Sequence, residues 1–127
     1  MTDPTPAEPF ASNPDAEPPV LALMRDLMFS SRVAGTAAEL GVPVRLIRDP
    51  ARLAGQPGRR LIVDLNLDGA IDAAAAWRNQ AVAGMQVIGF VSHVDSATIQ
   101  RARAAGIDRV MARSQFVQVL PQLLQGE

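Results

Sequence analysis

The 127-residue sequence predicts a doubly wound α/β domain, in which a five-stranded parallel sheet carries helices on both faces. Short apolar runs alternate with longer helix-forming segments, and strict strand–helix alternation is typical of this class. The apolar runs lack alternating polar residues, which indicates strands buried on both sides. A glycine also ends each of three predicted helices shortly before the next strand, as a left-handed helix end requires; these are Gly41, Gly84 and Gly106.

The predicted strands are the apolar runs at 20–24, 43–47, 59–65, 86–92 and 109–112. Between them, helices are predicted at 30–41, 68–84 and 95–106, with one helical turn at 50–54. Small polar residues are preferred immediately before a helix, because their side chains accept a hydrogen bond from its first turn. The expected N-terminal caps are Ser30 or Ser31, then Asp68, then Asp95 or Ser96.

The last segment, 114–125, contains Pro121, which would remove a hydrogen bond from a helix interior. We therefore predict a turn over 114–119 and a short separate helix that begins at Pro121.

The first 19 residues differ in composition from the rest of the chain. They hold six of the ten prolines and four acidic residues, with no basic residue. Such a segment buries too little apolar surface to offset its ordering entropy, so we predict a disordered acidic tail at 1–19 and one domain at 20–125. A plain leader or linker and a partner-binding tail both remain open.

Composition excludes several function classes. The chain has no cysteine, so disulfides and thiol catalysis are excluded, and its one histidine makes a zinc site unusual. All twelve basic residues are arginines, which excludes lysine Schiff-base chemistry. A net charge of -1 gives no basic footprint for nucleic acid. No apolar run reaches transmembrane length and no signal peptide is visible, so we expect a cytoplasmic protein without membrane contact.

The segment Asp64-Leu-Asn66-Leu-Asp68-Gly69 matches the first half of a calcium loop. An EF-hand loop also needs a preceding helix and a glutamate at its twelfth position, which here is Ala75. The residues before Asp64 predict a strand instead. Asp64 is therefore expected at the carboxyl end of the third strand, where doubly wound sheets place their sites.

Further polar residues follow four of the predicted strands at the same edge of the sheet. They are Asp26 after the first strand, Asn66 and Asp68 after the third, Ser92 and His93 after the fourth, and Arg113 and Ser114 after the fifth. His93 is expected to be a loop residue rather than a catalytic base. Trp77 is expected to pack in the core.

The region 20–125 resembles the receiver domain of bacterial two-component response regulators. The resemblance lies in "LIVDLNLDG" around Asp64 and in "AGIDRVMARS", where Arg113 stands at the position of the family's lysine. It implies a flavodoxin-like strand order of 2-1-3-4-5, with Asp64 as the phosphate acceptor. It further implies Mg²⁺ as a cofactor held by Asp26, Asp64 and Asn66, with Ser92 and Arg113 completing the catalytic set.

Three departures from the family pattern indicate a degenerate member. One acid, Asp26, follows strand one where the family has a pair, and Arg25 precedes it. Arg113 replaces lysine, whose compact point charge a planar guanidinium does not copy. The loop after Asp64 is shorter and lacks the family's proline. Alternatively, Asp64 caps the next helix or pairs with Arg25 or Arg113, and Asp26 forms an ion pair or a helix cap.

We accordingly expect a stand-alone receiver-like signalling module, degenerate and more a binding protein than an enzyme, with Asp64 phosphorylation as one mode of regulation. The expected partners are proteins, either a kinase or a downstream signalling protein, and a homodimer is compatible with this reading. The alternative is a small-molecule-binding or enzymatic flavodoxin-like domain, since the fold supports many functions. Against it, no glycine-rich phosphate loop follows the first strand.

Overall fold

The computed structural model describes residues 19–80, 85–92 and 95–126. The strands are β1 (Val20–Leu23), β2 (Val44–Ile47), β3 (Arg60–Asp64), β4 (Gln86–Val91) and β5 (Arg109–Ala112). The helices are α1 (Leu27–Leu40), α2 (Ala70–Asn79), α3 (Ser96–Ala104) and α4 (Arg113–Gln125), and a 3-10 turn spans Pro50–Arg52.

The five strands form one parallel sheet in the order β2-β1-β3-β4-β5, which confirms the predicted fold class and strand order. Val20 at the start of β1 lies between Val44 of β2 and Arg60 of β3. At the other end of the sheet, Asp64 of β3 lies beside Phe90 of β4. The carboxyl ends of the strands therefore meet at one edge, as expected for the candidate site.

Each face of the sheet carries its own apolar core. The core under α2 and α3 includes Trp77, which is 2% exposed and therefore a packing residue as predicted. The core under α1 and α4 is built around Phe29, Phe90 and Phe116, whose ring centroids lie 4.8–5.6 Å apart. Aromatic rings at these spacings contribute stability beyond their buried area.

The first helix begins earlier than predicted, and its cap is a different residue. Asp26 is the N-cap, because its Oδ1 accepts a hydrogen bond of 3.0 Å from the backbone N–H of Phe29. Ser30 lies inside the helix, where its hydroxyl donates to the carbonyl of Leu27 at 3.1 Å. The prediction of a serine cap was therefore wrong, and the alternative role of Asp26 as a helix cap is confirmed.

The other helix ends divide between confirmed and wrong predictions. The cap of α2 is Gly69, which has φ of 80° and makes no side-chain bond, so Asp68 is not the predicted cap. Asp95 does cap α3, accepting hydrogen bonds from the first-turn N–H groups. Gly41 and Gly106 have φ of 71° and 91°, as predicted for residues that close helices. Gly84 lies outside the described residues.

The C-terminal segment is one continuous helix with Pro121 inside it, so the predicted break was wrong. The apolar stripe of α4 explains this result: its four buried residues are Phe116, Leu120, Leu123 and Leu124. Burial of each contributes about 1.5–3 kcal/mol, which together exceeds the cost of about 3 kcal/mol for a helical proline.

The predicted acidic tail lies outside the described residues except for Pro19. Within the part of the chain that the structure describes, no helix has the length and hydropathy to cross a membrane.

Candidate functional site

The predicted site residues lie at the carboxyl edge of the sheet. Asp64 is the last residue of β3, Ser92 follows β4, and Arg113 is the first residue of α4 directly after β5. Asp26 precedes α1, three residues beyond the end of β1. The contacts that the structure shows among them fall into two sets, one between α1 and α4 and one between the β3 and β4 ends.

The first set joins Asp26 to Arg113. Nη2 of Arg113 lies 3.3 Å from Oδ2 of Asp26, and the two side chains are 35% and 45% exposed. The guanidinium carbon of Arg113 also lies 4.1 Å from the centroid of the Phe29 ring. This distance is that of a cation–π contact, which sequence reasoning did not identify. Arg113 is thus held between a carboxylate and an aromatic face, both on α1 or its cap.

These contacts favour the ionised form of Asp26. The backbone N–H of Phe29 lowers the pKa of this carboxyl most, desolvation opposes the shift, and Arg113 lowers the pKa further through its hydrogen bond and its charge. A carboxyl group whose charged form accepts hydrogen bonds loses its proton more readily than one in water. The ion-pair alternative for Asp26 is confirmed, since Asp26 carries both an ion pair and the helix cap.

The second set runs from Asp64 through Asn66 to Ser92. Oδ1 of Asp64 accepts a hydrogen bond of 3.0 Å from the backbone N–H of Asn66, which is an Asx-type turn. Oδ1 of Asn66 in turn accepts one of 2.6 Å from the backbone N–H of Ser92. The side chain of Asn66 therefore ties the loop after β3 to the end of β4.

Leu65 sits on Gly89 and thereby holds this loop against the sheet. The backbone N–H of Leu65 donates to the carbonyl of Phe90 at 2.9 Å. A Cβ atom added to Gly89 would lie 2.6 Å from Cδ1 of Leu65 and 2.7 Å from its Cγ. Because carbon atoms do not approach so closely, a side chain at position 89 would force the Leu65 side chain to shift from its present position.

Arg25, which was considered as an alternative ion-pair partner of Asp64, makes no contact with Asp64 among those that the structure shows. Its Nε donates to the carbonyl of Arg48 at 2.9 Å, which joins the end of β1 to the end of β2. The ion pair found for Arg113 is with Asp26. His93 lies outside the described residues.

The calcium reading of the Asp64 segment is excluded by its surroundings, since β3 rather than a helix precedes Asp64. Both carboxylate oxygens of Asp26, a predicted Mg²⁺ ligand, already accept hydrogen bonds. Oδ1 accepts from the backbone N–H of Phe29, and Oδ2 accepts from Arg113. Among the described residues, no three His, Asp or Glu side chains are grouped to hold a metal ion. As arranged, the residues do not fit a metal at Asp26 unless Arg113 leaves Oδ2.

A cavity of about 300 Å³ lies next to this edge, between the N-terminal ends of α2 and α3. Its lining is mostly polar and includes Asn66, Asp68, Asp72, Asp95 and Arg101. Small-molecule sites are usually apolar with a few convergent polar groups. This cavity therefore gives no support to the alternative of a small-molecule enzyme.

Comparison with known proteins identifies the fold of this chain and no sequence family. No protein-family model matches the sequence, and no curated protein has significant sequence similarity to it. Solved structures do match, and many of them are receiver domains of response regulators.

Three of these structures illustrate the similarity. The phosphorylated cyanobacterial phytochrome response regulator RcpA has a TM-score of 0.69 at 13% identity, covering 85% of this chain and 91% of its own. A Burkholderia pseudomallei response regulator with a phosphorylated aspartic acid has a TM-score of 0.70 at 17% identity, and the match covers 86% of this chain and 67% of that one. A CheY-like receiver domain from Methanospirillum hungatei has a TM-score of 0.70 at 12% identity, and the match covers 87% of this chain and 95% of that one. The chain therefore has the CheY-like receiver fold.

Proposed function

We propose that this chain is a receiver-like signalling module that acts through protein–protein contacts, with Asp64 as the residue that carries a phosphoryl group. The observation that supports this proposal is the pairing of Asp26 with Arg113 at the carboxyl edge of a receiver fold. An acid after β1, an acid at the end of β3 and a cation after β5 are the charges that phosphoryl transfer to a carboxylate uses.

The reaction proposed for Asp64 is a simple displacement. A carboxylate oxygen of Asp64 attacks the phosphorus of an acyl phosphate and forms a new P–O bond. The bond between phosphorus and the acyl oxygen of the donor breaks, and the carboxylate of the donor departs. The product is an aspartyl phosphate, whose added negative charge lies at the edge that Arg113 occupies. Because Arg113 is engaged with Asp26, the new phosphoryl group and Asp26 compete for the same guanidinium.

This competition offers a route from the site to a partner. The residues next to Asp26 on α1 are Leu27 and Met28, which are 62% and 85% exposed. Exposed apolar side chains beside a charged site favour a protein contact. Release of Arg113 would change the cap and the aromatic contact that hold the start of α1.

The proposal is tested first by phosphoryl uptake. The protein is incubated with acetyl phosphate, with and without Mg²⁺, and its intact mass is measured. We expect one phosphoryl adduct on the wild type and none on Asp64→Asn. The matched control is Asp72→Asn, which removes an exposed acid from the first turn of α2 and is expected to keep the adduct. Absence of any adduct, together with no binding of beryllofluoride, would exclude the phosphorylation part of the proposal.

The contact surface is tested separately. A photo-crosslinking residue at Met28 is compared in cells with the same residue at Ala104, an exposed position on α3. We expect a discrete crosslinked protein from the Met28 position and none from Ala104. Equal crosslinking at both positions, or none at Met28, would argue against α1 as the contact surface.

A further inference from the structure

A groove rich in arginine runs along the outer side of β2. It is a cavity of about 350 Å³, and we call it the arginine groove after its three basic lining residues, Arg45, Arg48 and Arg52. β2 is an edge strand of the sheet, and the crossover from β2 to β3 contains a 3-10 turn rather than an α-helix. The edge is therefore partly open, and Leu46 in the groove is 42% exposed.

The charge of the groove is largely uncompensated by the described part of the chain. Arg48 and Arg52 are exposed and form no ion pair with any described residue. Arg45 is half-buried and donates from Nη1 to Oε1 of Gln56 at 2.9 Å. One acid, Asp49, lines the groove, and its Oδ1 accepts the backbone N–H of Ala51 at 3.0 Å. The groove is thus a net cationic surface.

The opposite charge lies in the N-terminal segment of the same chain. Residues 1–18 contain Asp3, Glu8, Asp15 and Glu17 and no basic residue, so they carry a formal charge of -4. The remaining residues hold all twelve arginines and nine acids, and they carry +3. This charge asymmetry favours contact between the acidic segment and a basic surface.

The point where this segment joins the domain is beside the groove. The backbone N–H of Val20 donates to the carbonyl of Pro43 at 3.0 Å, and Val20 lies next to Val44 in the sheet. Because a strand rises about 3.3 Å per residue, the groove along β2 lies within roughly 15 Å of this point. A segment of 18 residues extends up to about 60 Å, so its more distant acids, Asp3 and Glu8, can reach every arginine of the groove.

A second basic pair also lies near Val20 but is already engaged. The backbone N–H of Arg59 donates to the carbonyl of Pro19 at 3.1 Å. The guanidinium of Arg59 donates to the carbonyl of Leu124 at 3.1 Å, and that of Arg60 donates to the carbonyl of Leu123. These two cations therefore satisfy the C-terminal end of α4, whereas Arg48 and Arg52 remain available.

We propose that the acidic segment 1–18 lies on the arginine groove of its own chain. Carboxylate–guanidinium pairs form bidentate, charge-assisted hydrogen bonds, and a short tether gives the segment an effective concentration of roughly millimolar. The bound segment covers the open edge of β2, which otherwise presents unpaired backbone groups to other chains. This proposal does not depend on phosphorylation of Asp64.

The absence of native cysteine makes a clean test available. A nitroxide is attached to Ser12→Cys, between Glu8 and Asp15, and paramagnetic broadening of the backbone amides is measured by NMR in the full-length protein. We expect the amides of β2 and of the 3-10 turn to lose most of their intensity, while those of α3 keep theirs. At about 1 M salt, where the Debye length is about 3 Å, the intensity should return.

Three variants of the labelled protein test which residues hold the segment. Arg48→Gln with Arg52→Gln should abolish the broadening at β2, and both residues are exposed, so the fold is unaffected. The matched control is Arg101→Gln with Arg103→Gln, which removes two exposed arginines from α3 and should leave the broadening unchanged. Neutralising the four acids of the segment should have the same effect as neutralising the groove.

Four results would overturn the proposal. They are no broadening, broadening spread evenly over the surface, broadening centred on Arg59 and Arg60, and broadening that survives in the groove variant. A mixing experiment covers the remaining occupant, a second copy. Isotope-labelled chains without nitroxide are mixed with nitroxide-labelled chains that are isotopically silent, and broadening confined to this mixture would assign the groove to another molecule.

Discussion

Replacement of Pro121 by alanine should stabilise this protein, because the proline lies inside α4 and cannot donate a hydrogen bond. The gain has two bounds. One restored backbone hydrogen bond contributes about 1 kcal/mol, and the difference in helix propensity between proline and alanine is about 3 kcal/mol. We expect a value near the middle, about 2 kcal/mol. For a domain of this size that corresponds to a rise in Tm of about 6–10 °C.

The assay is reversible thermal and urea unfolding followed by far-UV circular dichroism. Pro121→Gly separates the two contributions, since glycine restores the N–H but has about 1 kcal/mol lower helix propensity than alanine. Gln122→Ala is the matched control, because Gln122 is the exposed neighbour in the same helix and should change stability by less than about 0.5 kcal/mol.

A neutral or destabilising effect of Pro121→Ala would refute this reasoning. It would mean that the half-buried proline ring contributes packing, or that the helix has adjusted so that the missing donor costs nothing. The urea m-value distinguishes these results from a change in the unfolded state, because it reports the surface exposed on unfolding.

Three further predictions concern the site and the core. Gly89→Ala should destabilise by about 1–3 kcal/mol in urea unfolding because it forces apart a close contact, whereas Gly35→Ala, with open space around it, should be neutral or stabilising. Asp26→Asn should lower Tm at pH 7. Because the folded-state pKa of this carboxyl is lowered, the difference in Tm should begin to shrink as pH falls below about 4 and should vanish only below the folded-state pKa. A difference in Tm that stays constant with pH would show that the charge is irrelevant. Trp77→Phe should cost about 2–4 kcal/mol, measured by the same unfolding assay, because it opens space in the core and leaves a carbonyl of the β2–β3 crossover without its indole donor; a loss below 1 kcal/mol would contradict this.

The sheet could be predicted from the sequence because its strands are buried on both sides. Continuous apolar runs separated by helix-forming segments leave few other arrangements, and all five runs formed strands in the predicted order. The positions of Asp64 and Arg113 at strand ends follow from the same pattern. Strand bounds differed by at most one residue at either end, since a residue next to a strand can be assigned to the strand or to the loop.

The contacts within the site could not be predicted in the same way. The pairing of Arg113 with Asp26 and Phe29 depends on how α4 packs beside α1, and no local pattern encodes that distance. The hydrogen bond from Ser92 to the Asn66 side chain was not predicted, because the resemblance assigns Asn66 to metal binding. The predicted helix break at Pro121 was wrong because local propensity does not include the burial of apolar side chains that α4 gains against the sheet.

The cluster of three phenylalanines has a consequence for synthesis of the chain. Phe29 and Phe116 stand 87 residues apart in sequence, yet they complete one cluster with Phe90. The face of the sheet that α1 and α4 share therefore stays only partly covered on a nascent chain until α4 has emerged, whereas the face under α2 and α3 can close sooner. Contacts so distant in sequence form late and slow folding. The emerging polypeptide thus passes through a stage with an exposed aromatic surface. At that stage the surface is available to chaperones and to aggregation with other chains.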